Sequence, residues 1–261
     1  MAAPPRNSAA AATAVAFLSL NTNRRTDLAG LPGLVRDSNP DIIFLQEVGL
    51  LPHEVRAAAA AMGYDAWLSS CEQPRRMIAV LARRPLQVVE VVPGYVQQVT
   101  FFNITILHLH LPSGTAAEMR ARRRDMLQQH ILPIIQRSQI PPILVGDFNC
   151  VILPIDAENF NTTKVSPALN SIVNRFNYFD NFRILHPNDV QYSFFRENMA
   201  ASRLDRLYLP VIFASAVLIA KYVATVSDHF AFYSVFNSAA LGLRLEDRKS
   251  TRLNSSHTVI S

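Results

Sequence analysis

Short strands outnumber helices in this sequence and do not alternate strictly with them, which predicts two packed sheets with outer helices rather than a doubly wound parallel sheet. The size agrees. With 261 residues, 49% of them apolar, the chain suits one large α/β domain with a substantial core and leaves no room for a second complete one. No period of 20–50 residues marks a repeat architecture.

Runs rich in β-branched or aromatic residues, bounded by Pro, Gly or Asn, predict strands near 13–20, 41–46, 77–82, 87–93, 98–109, 143–147, 191–195, 204–209, 217–224 and 230–236. Helical stretches lie near 26–37, 52–62, 115–137 and 166–178. The first strand follows an Ala/Pro-rich leader, and residues 9–20 after Arg6 have the length of a signal-peptide core. That run leads directly into Leu20-Asn21-Thr22-Asn23, so it reads as a buried strand behind a disordered leader over 1–12. The Ala run at 57–61 expresses helix propensity and carries no functional information. In the third helix Met119, Met126, Leu127, Ile131 and Ile134 share one face, while Arg120, Arg122 and Arg124 fall largely elsewhere and read as a solvated surface. Residues 211–220 are apolar but only ten long, between Pro210 and Lys221, too short to cross a bilayer.

The folded domain is expected over 13–240 and a disordered tail over 241–261. From Asp247 to His257 the tail has no apolar period, and it reads as a non-native scar. Lys plus Arg exceed Asp plus Glu by 25 to 20, a net +5 of which residues 247–261 supply +2. So modest an excess agrees with a polyanionic partner without establishing one. The two cysteines, Cys71 and Cys150, form no CxxC pair and no His/Cys cluster. This argues against a zinc site and a disulfide framework, and favours a nuclear or cytoplasmic protein over a secreted one.

Polar residues at the ends of apolar strands carry the functional signal, because a rigid sheet holds them in fixed geometry. In order they are Asn21 after AVAFLSL, Gln46-Glu47 after DIIFL, His110 within LHLHLPSG, Gly146-Asp147-Phe148-Asn149 after PPILV, Ser202-Arg203-Leu204-Asp205, and Ser227-Asp228-His229. Each has an innocent reading alone: GDFN as a strand-ending turn, SDH as an N-cap, Glu47 as the start of a solvated loop, His108 or His110 as a hydrogen-bonded sheet residue.

Together, in this order, the six resemble the endonuclease/exonuclease/phosphatase superfamily over roughly residues 14–236. The LNTN start, DIIFLQE, ILVGDFN with a following Leu-Pro-Ile-Asp, and YSFF before SRLDRLYL are most similar to the endonuclease domains of LINE (non-LTR) retrotransposons. The resemblance implies the DNase-like fold, a four-layer α/β sandwich of two packed mixed β-sheets flanked by helices. It implies a Mg²⁺-dependent hydrolase, with Mn²⁺ as substitute, that acts as a monomer on double-stranded DNA with no membrane partner. The nick would leave a 3′-hydroxyl for target-primed reverse transcription, with a reverse-transcriptase region expected in the full-length parent but absent here. The alternative is an abasic-site repair endonuclease or another phosphoesterase of the same fold.

Phosphodiester hydrolysis needs neutralised phosphate charge, an activated water and a stabilised leaving oxygen. Glu47 is the main expected metal ligand, with Asp228 near the metal and Asn21 oriented to metal or phosphate. Asp147 would orient or deprotonate water, and Asn149 donate to the phosphate. His229 paired with Asp205 would present a fixed imidazolium, and His110 would donate to the phosphate or leaving group. Ser193 in YSFF would support the hydrogen-bond network as a substrate-binding residue, and Arg196 and Arg203 would bracket a hairpin tip at the DNA. The pattern departs from relatives at Arg24, often Gly, and at Ser202, where abasic-site endonucleases usually carry Trp.

Overall fold

The computed structural model describes residues 14–70 and 77–243. They form two six-stranded sheets. The first carries, in spatial order, β11 (Val217–Val223), β12 (Ala231–Asn237), β1 (Ala14–Asn21), β2 (Ile42–Val48), β4 (Met77–Ala82) and β3 (Asp65–Leu68). The second carries β5 (Gln87–Val92), β6 (Val96–Phe101), β7 (Ile104–His110), β8 (Ile143–Asp147), β10 (Asp205–Pro210) and β9 (Tyr178–Asp180). At the centre of each sheet lies one parallel pair, β1–β2 and β7–β8, flanked by antiparallel neighbours. The sheets are therefore mixed, as expected.

Strand alternation divides the apolar residues among three cores. Val15 and Phe17 of β1, Ile42 and Phe44 of β2, and Ile143 and Val145 of β8 point between the sheets. Their chain neighbours Ala16, Leu18, Ile43 and Leu45 face outward, under helices α1 (Leu31–Ser38) and α2 (Pro52–Ala61). Leu107, Leu109 and Leu144 face the other way, under α3 (Ala117–Met126), α4 (Leu132–Arg137) and α5 (Pro167–Arg175). The short α6 (Asn181–Leu185) inserts Phe182 into the central core. Helix, sheet, sheet and helix make the four layers. Because central strands are covered on both faces, they read as near-continuous apolar runs.

Several expected elements differ in detail. Residues 98–109 form two strands, β6 and β7, turning at Phe102-Asn103 with Phe102 at φ 53°. A two-residue turn without glycine leaves little trace in an apolar run. Residues 191–195 are not a strand, because Phe194 makes only isolated bridges to Ser202 and His229. The third helix breaks into α3, a π turn over Leu127–Ile131, and α4. Pro133 has no N–H for the carbonyl four residues back, which favours such a break. The edge strands β3 and β9 and the five-residue α6 are too short to leave a period in the sequence.

Leu241 and Leu243, assigned by sequence to the tail, are buried in the central core. The packed chain thus runs at least to residue 243. The leader at 1–12, Cys71 and the run 247–261 lie outside the described residues. Among the described residues no helix is long and apolar enough to cross a membrane.

Candidate active site

The two central parallel pairs end at the same side of the sandwich, and that shared edge gathers the polar residues. Asn21 closes β1, and Glu47 is the last residue but one of β2. His110 and Asp147 close β7 and β8, where they are register partners. Asp205 opens the antiparallel β10 opposite Asp147, and His229 precedes β12. Residues up to 208 positions apart in sequence so meet in one place.

Local backbone devices aim these side chains. Glu47 sits at φ 49° within a register irregularity between Leu45 and Val48, so the strand kinks and turns its carboxylate onto the sheet edge. Gly49 follows because a Cβ there would lie 2.2 Å from the Arg24 carbonyl oxygen. Gly146 has φ 135°, and a Cβ would lie 1.9 Å from the Leu109 carbonyl oxygen. Only glycine lets β8 approach β7 this closely just before Asp147. Asn149 is also left-handed, at φ 49°, a conformation Asn tolerates better than most residues.

Asp147 is almost fully buried and held by three donors. Asn149 donates from its backbone N–H to Oδ1 at 2.8 Å and from Nδ2 to Oδ2 at 2.9 Å. Asn21 Nδ2 donates to Oδ2 at 2.9 Å. Burial pushes the Asp147 carboxyl upward, and the neighbouring Asp205 charge adds to it, while His229, His110 and Asn21 pull the other way. Glu47 behaves oppositely. Burial acts to raise it, but His110 Nε2 at 3.2 Å, Asn21 and Arg24 outweigh this and leave the carboxyl at about 2. Arg24 reaches Glu47 Oε2 at 2.9 Å, from a left-handed backbone at φ 57°.

His229 Nδ1 lies 2.7 Å from Asp205 Oδ2, and both residues are buried. Burial alone would lower the imidazole, but the charge and hydrogen bond of Asp205, then Asp147 and Asp228, raise it to about 9. His229 is therefore an imidazolium at neutral pH, with Nδ1 donating to Asp205 and Nε2 left for a ligand. Phe194 packs against its ring at 5.0 Å. Ser227 Oγ donates to the Asn21 carbonyl at 2.8 Å and accepts the His229 N–H at 3.2 Å, which ties the His229 loop to β1.

Among the described residues two groups of side chains could hold a metal ion: Glu47, His110 and Asp147, and Asp147, Asp205 and His229. Within each group the candidate ligand atoms lie within 4.8 Å of one another. His110 Nδ1 and Asp205 Oδ1 are buried without a protein partner, so both retain capacity for a ligand or solvent. Asp228 belongs to neither group. It is half-buried beside His229, with Ser227 Oγ 3.4 Å from Oδ1.

The structure brings together Asn21, Glu47, His110, Asp147, Asn149, Asp205 and His229, and it corrects two expected substrate contacts. Arg203 is 1% exposed, with Nε on Asp156 at 2.9 Å and Nη2 on Asp180 at 2.7 Å. Its charge is consumed inside the fold by these two carboxylates. Ser193 is fully buried and accepts the Leu204 and Asp205 N–H groups at 2.9 and 3.0 Å, so it positions Asp205 rather than touching substrate. Arg196 is exposed at the tip of the 195–201 loop.

Two further residues support the site, and sequence reasoning misses one of them, Arg123. His108 is buried between the sheets and joins Gln46 at 2.8 Å and Gln97 at 3.2 Å. Burial, then the His110 charge, hold it near 3, so it is a neutral bridge between β2 and β7. Arg123 is buried among carbonyl oxygens of the loops that follow His110 and Asp147. The polar residue flanked by apolar ones in LHLH is a usable signal for the first; nothing distinguishes Arg123 from the arginines beside it.

Solved structures share this fold. An AP endonuclease from Archaeoglobus fulgidus superposes with a TM-score of 0.76 at 17% identity, over 85% of this chain and 99% of that one. A 3′ phosphatase from Neisseria bound to a product DNA hairpin gives 0.73 at 19%, over 85% and 99%. An AP endonuclease from Leishmania major gives 0.69 at 17%, over 86% and 88%. No curated protein matches by sequence. The model of the endonuclease/exonuclease/phosphatase family matches residues 18–229, which takes in every candidate site residue from Asn21 to His229, and the chain is a hydrolase that belongs to that family.

Proposed function

We propose that this chain is a divalent-metal-dependent phosphodiesterase that cleaves DNA, with abasic or otherwise damaged strands as its preferred substrate. The observation that carries the chemistry is the convergence of Glu47, Asp147 and the His229–Asp205 pair at one sheet edge. Two carboxylates and an imidazole around one small volume fit a hard divalent cation, Mg²⁺ with Mn²⁺ as substitute. Glu47, Asp147 and His110 would hold it, with Asn21 alongside and Asp228 outside that trio. A bound cation would supply neutralisation of phosphate charge.

The chain's own residues do the rest. Asp147, fixed by Asn21 and Asn149, orients an attacking water and accepts its proton. The His229 imidazolium donates from Nε2 to a phosphoryl oxygen as negative charge builds, and Asp205 keeps it protonated and aligned. Asn149 Nδ2, now shared between Asp147 Oδ2 and the Leu111 carbonyl, is placed to turn to the phosphate.

The damaged-DNA preference is supported by the neighbours, described as AP endonucleases and a 3′ phosphatase. A second reading, nicking of intact target DNA for primed reverse transcription, is favoured by Ser202. That residue is small and 5% exposed where abasic-site enzymes usually carry Trp, which leaves less aromatic wall for a baseless sugar. The two readings separate in one assay: duplexes with and without a single abasic site, cleaved in Mg²⁺ and in EDTA. Faster cutting at the abasic site supports the first. Equal or slower cutting there moves the assignment to target nicking, and cutting that persists in EDTA defeats both.

A further inference from the structure

Arg123 is 1% exposed and lies in the second turn of α3, within a run of arginines whose neighbours Arg122 and Arg124 are exposed. Its side chain leans toward the helix N-terminus, as helical side chains do. Nη1 donates to the carbonyls of Pro112 and Asn149, each at 2.6 Å, and Nη2 to the carbonyl of Gly114 at 3.2 Å. The first and third belong to the loop after His110; the second belongs to the turn after Asp147. One planar guanidinium thus ties together the loops that carry two of the site's central residues.

Among the described residues no carboxylate lies within 4.0 Å of it. A buried cation that has only neutral acceptors is expensive for a fold to keep, and an apolar side chain could fill the same space. What only arginine supplies is a rigid fork able to satisfy several carbonyls at fixed angles, which an ammonium cannot match. The tie also acts on a strained element. Asn149 holds φ 49° while its N–H and Nδ2 both donate to Asp147.

We infer that Arg123 is a positioning residue, which clamps the Asn149 turn to the His110 loop and through Asn149 aligns Asp147 for the reaction. This rests on the phosphodiesterase reading for its kinetic arm alone. Arg123→Met should lower kcat by about 10²-fold, the scale of an ångström's misplacement, and leave KM for duplex DNA within about threefold. In an Asn149→Ala background the same substitution should cost less than about threefold, because the path it acts through is already gone. Amide exchange at Asn149 should accelerate while β1 and β2 stay protected. Equal losses in both backgrounds, or undiminished kcat in the folded variant, would overturn the assignment. If the wild-type protein cuts no DNA, the functional reading fails and exchange still decides the clamp: unchanged protection at Asn149 defeats it. If Arg123→Met does not fold, Arg123→Lys, which keeps the charge and loses the fork, should give the same kcat loss. Failure of both to fold would make Arg123 a structural residue.

Discussion

The His229–Asp205 pair gives the sharpest quantitative test. Asp205→Asn keeps the shape of the side chain and an acceptor for Nδ1, but removes the charge 2.7 Å from the imidazole. With that charge present His229 stands at about 9, so at pH 7.5 about 97% of it is protonated. Without it, burial is opposed only by Asp147 and Asp228, and the imidazole falls well below about 9. A smaller fraction then remains charged at the same pH. Loss of charge and of alignment together should lower turnover about 10²–10⁴-fold. The pH dependence carries the signature. Wild-type cleavage of supercoiled plasmid in Mg²⁺ should decline as pH rises through about 9, and the Asp205→Asn variant should begin to decline at a clearly lower pH.

Stability should follow the same pair. The folded value of His229 is raised, so its contribution is fully present below about 6.5 and is lost as pH rises through about 9. At most this is on the order of 3 kcal/mol, or roughly 6–10 °C in a domain of this size. The variant should lose that slope in its melting temperature. An alkaline limb still at about 9 in Asp205→Asn would show that Asp205 does not set the charge of His229.

Three further outcomes are expected. Glu47→Gln should raise the half-saturating Mg²⁺ concentration by more than about 100-fold and abolish the rise in melting temperature that Mg²⁺ produces; a metal response like that of the wild type would remove Glu47 from the ligands. His229→Ala combined with Asp205→Asn should be little slower than either single variant, since the two act as a unit, and losses that multiply would show independent roles. Gly146→Ala should lose upwards of about 4 kcal/mol, because its Cβ meets the Leu109 carbonyl at 1.9 Å at a φ of 135°. A denaturation midpoint near that of the wild type would mean that β8 can move away from β7.

Most of the candidate site was legible in the chain because chemistry constrains residue type at strand ends. Asn21, Glu47, His110, Asp147, Asp205 and His229 each follow or precede an apolar run, and a run of that kind announces a buried strand whatever its partners. The mixed two-sheet architecture was legible for the same reason, in the number of strands and their irregular spacing among helices. The limits appear where a side chain's direction decides its role. Arg123 and Arg124 are adjacent and chemically identical, yet one is buried among carbonyls and the other is 57% exposed on its side chain. Arg203 likewise looked like a phosphate contact until Asp156 and Asp180, 47 and 23 residues away, enclosed it.

The sequence by itself determined which segments must be buried and which polar groups those segments carry to their ends, because burial and strand period are local properties of composition. Only the tertiary structure decided which groups meet, since distance between Glu47 and Asp147 is set by how two sheets stack and not by anything along the chain. It also decided protonation. The same imidazole is neutral at His108, held near 3 between the sheets, and charged at His229, held near 9 beside Asp205. The difference lies in the carboxylate that folding brings to one of them and not to the other.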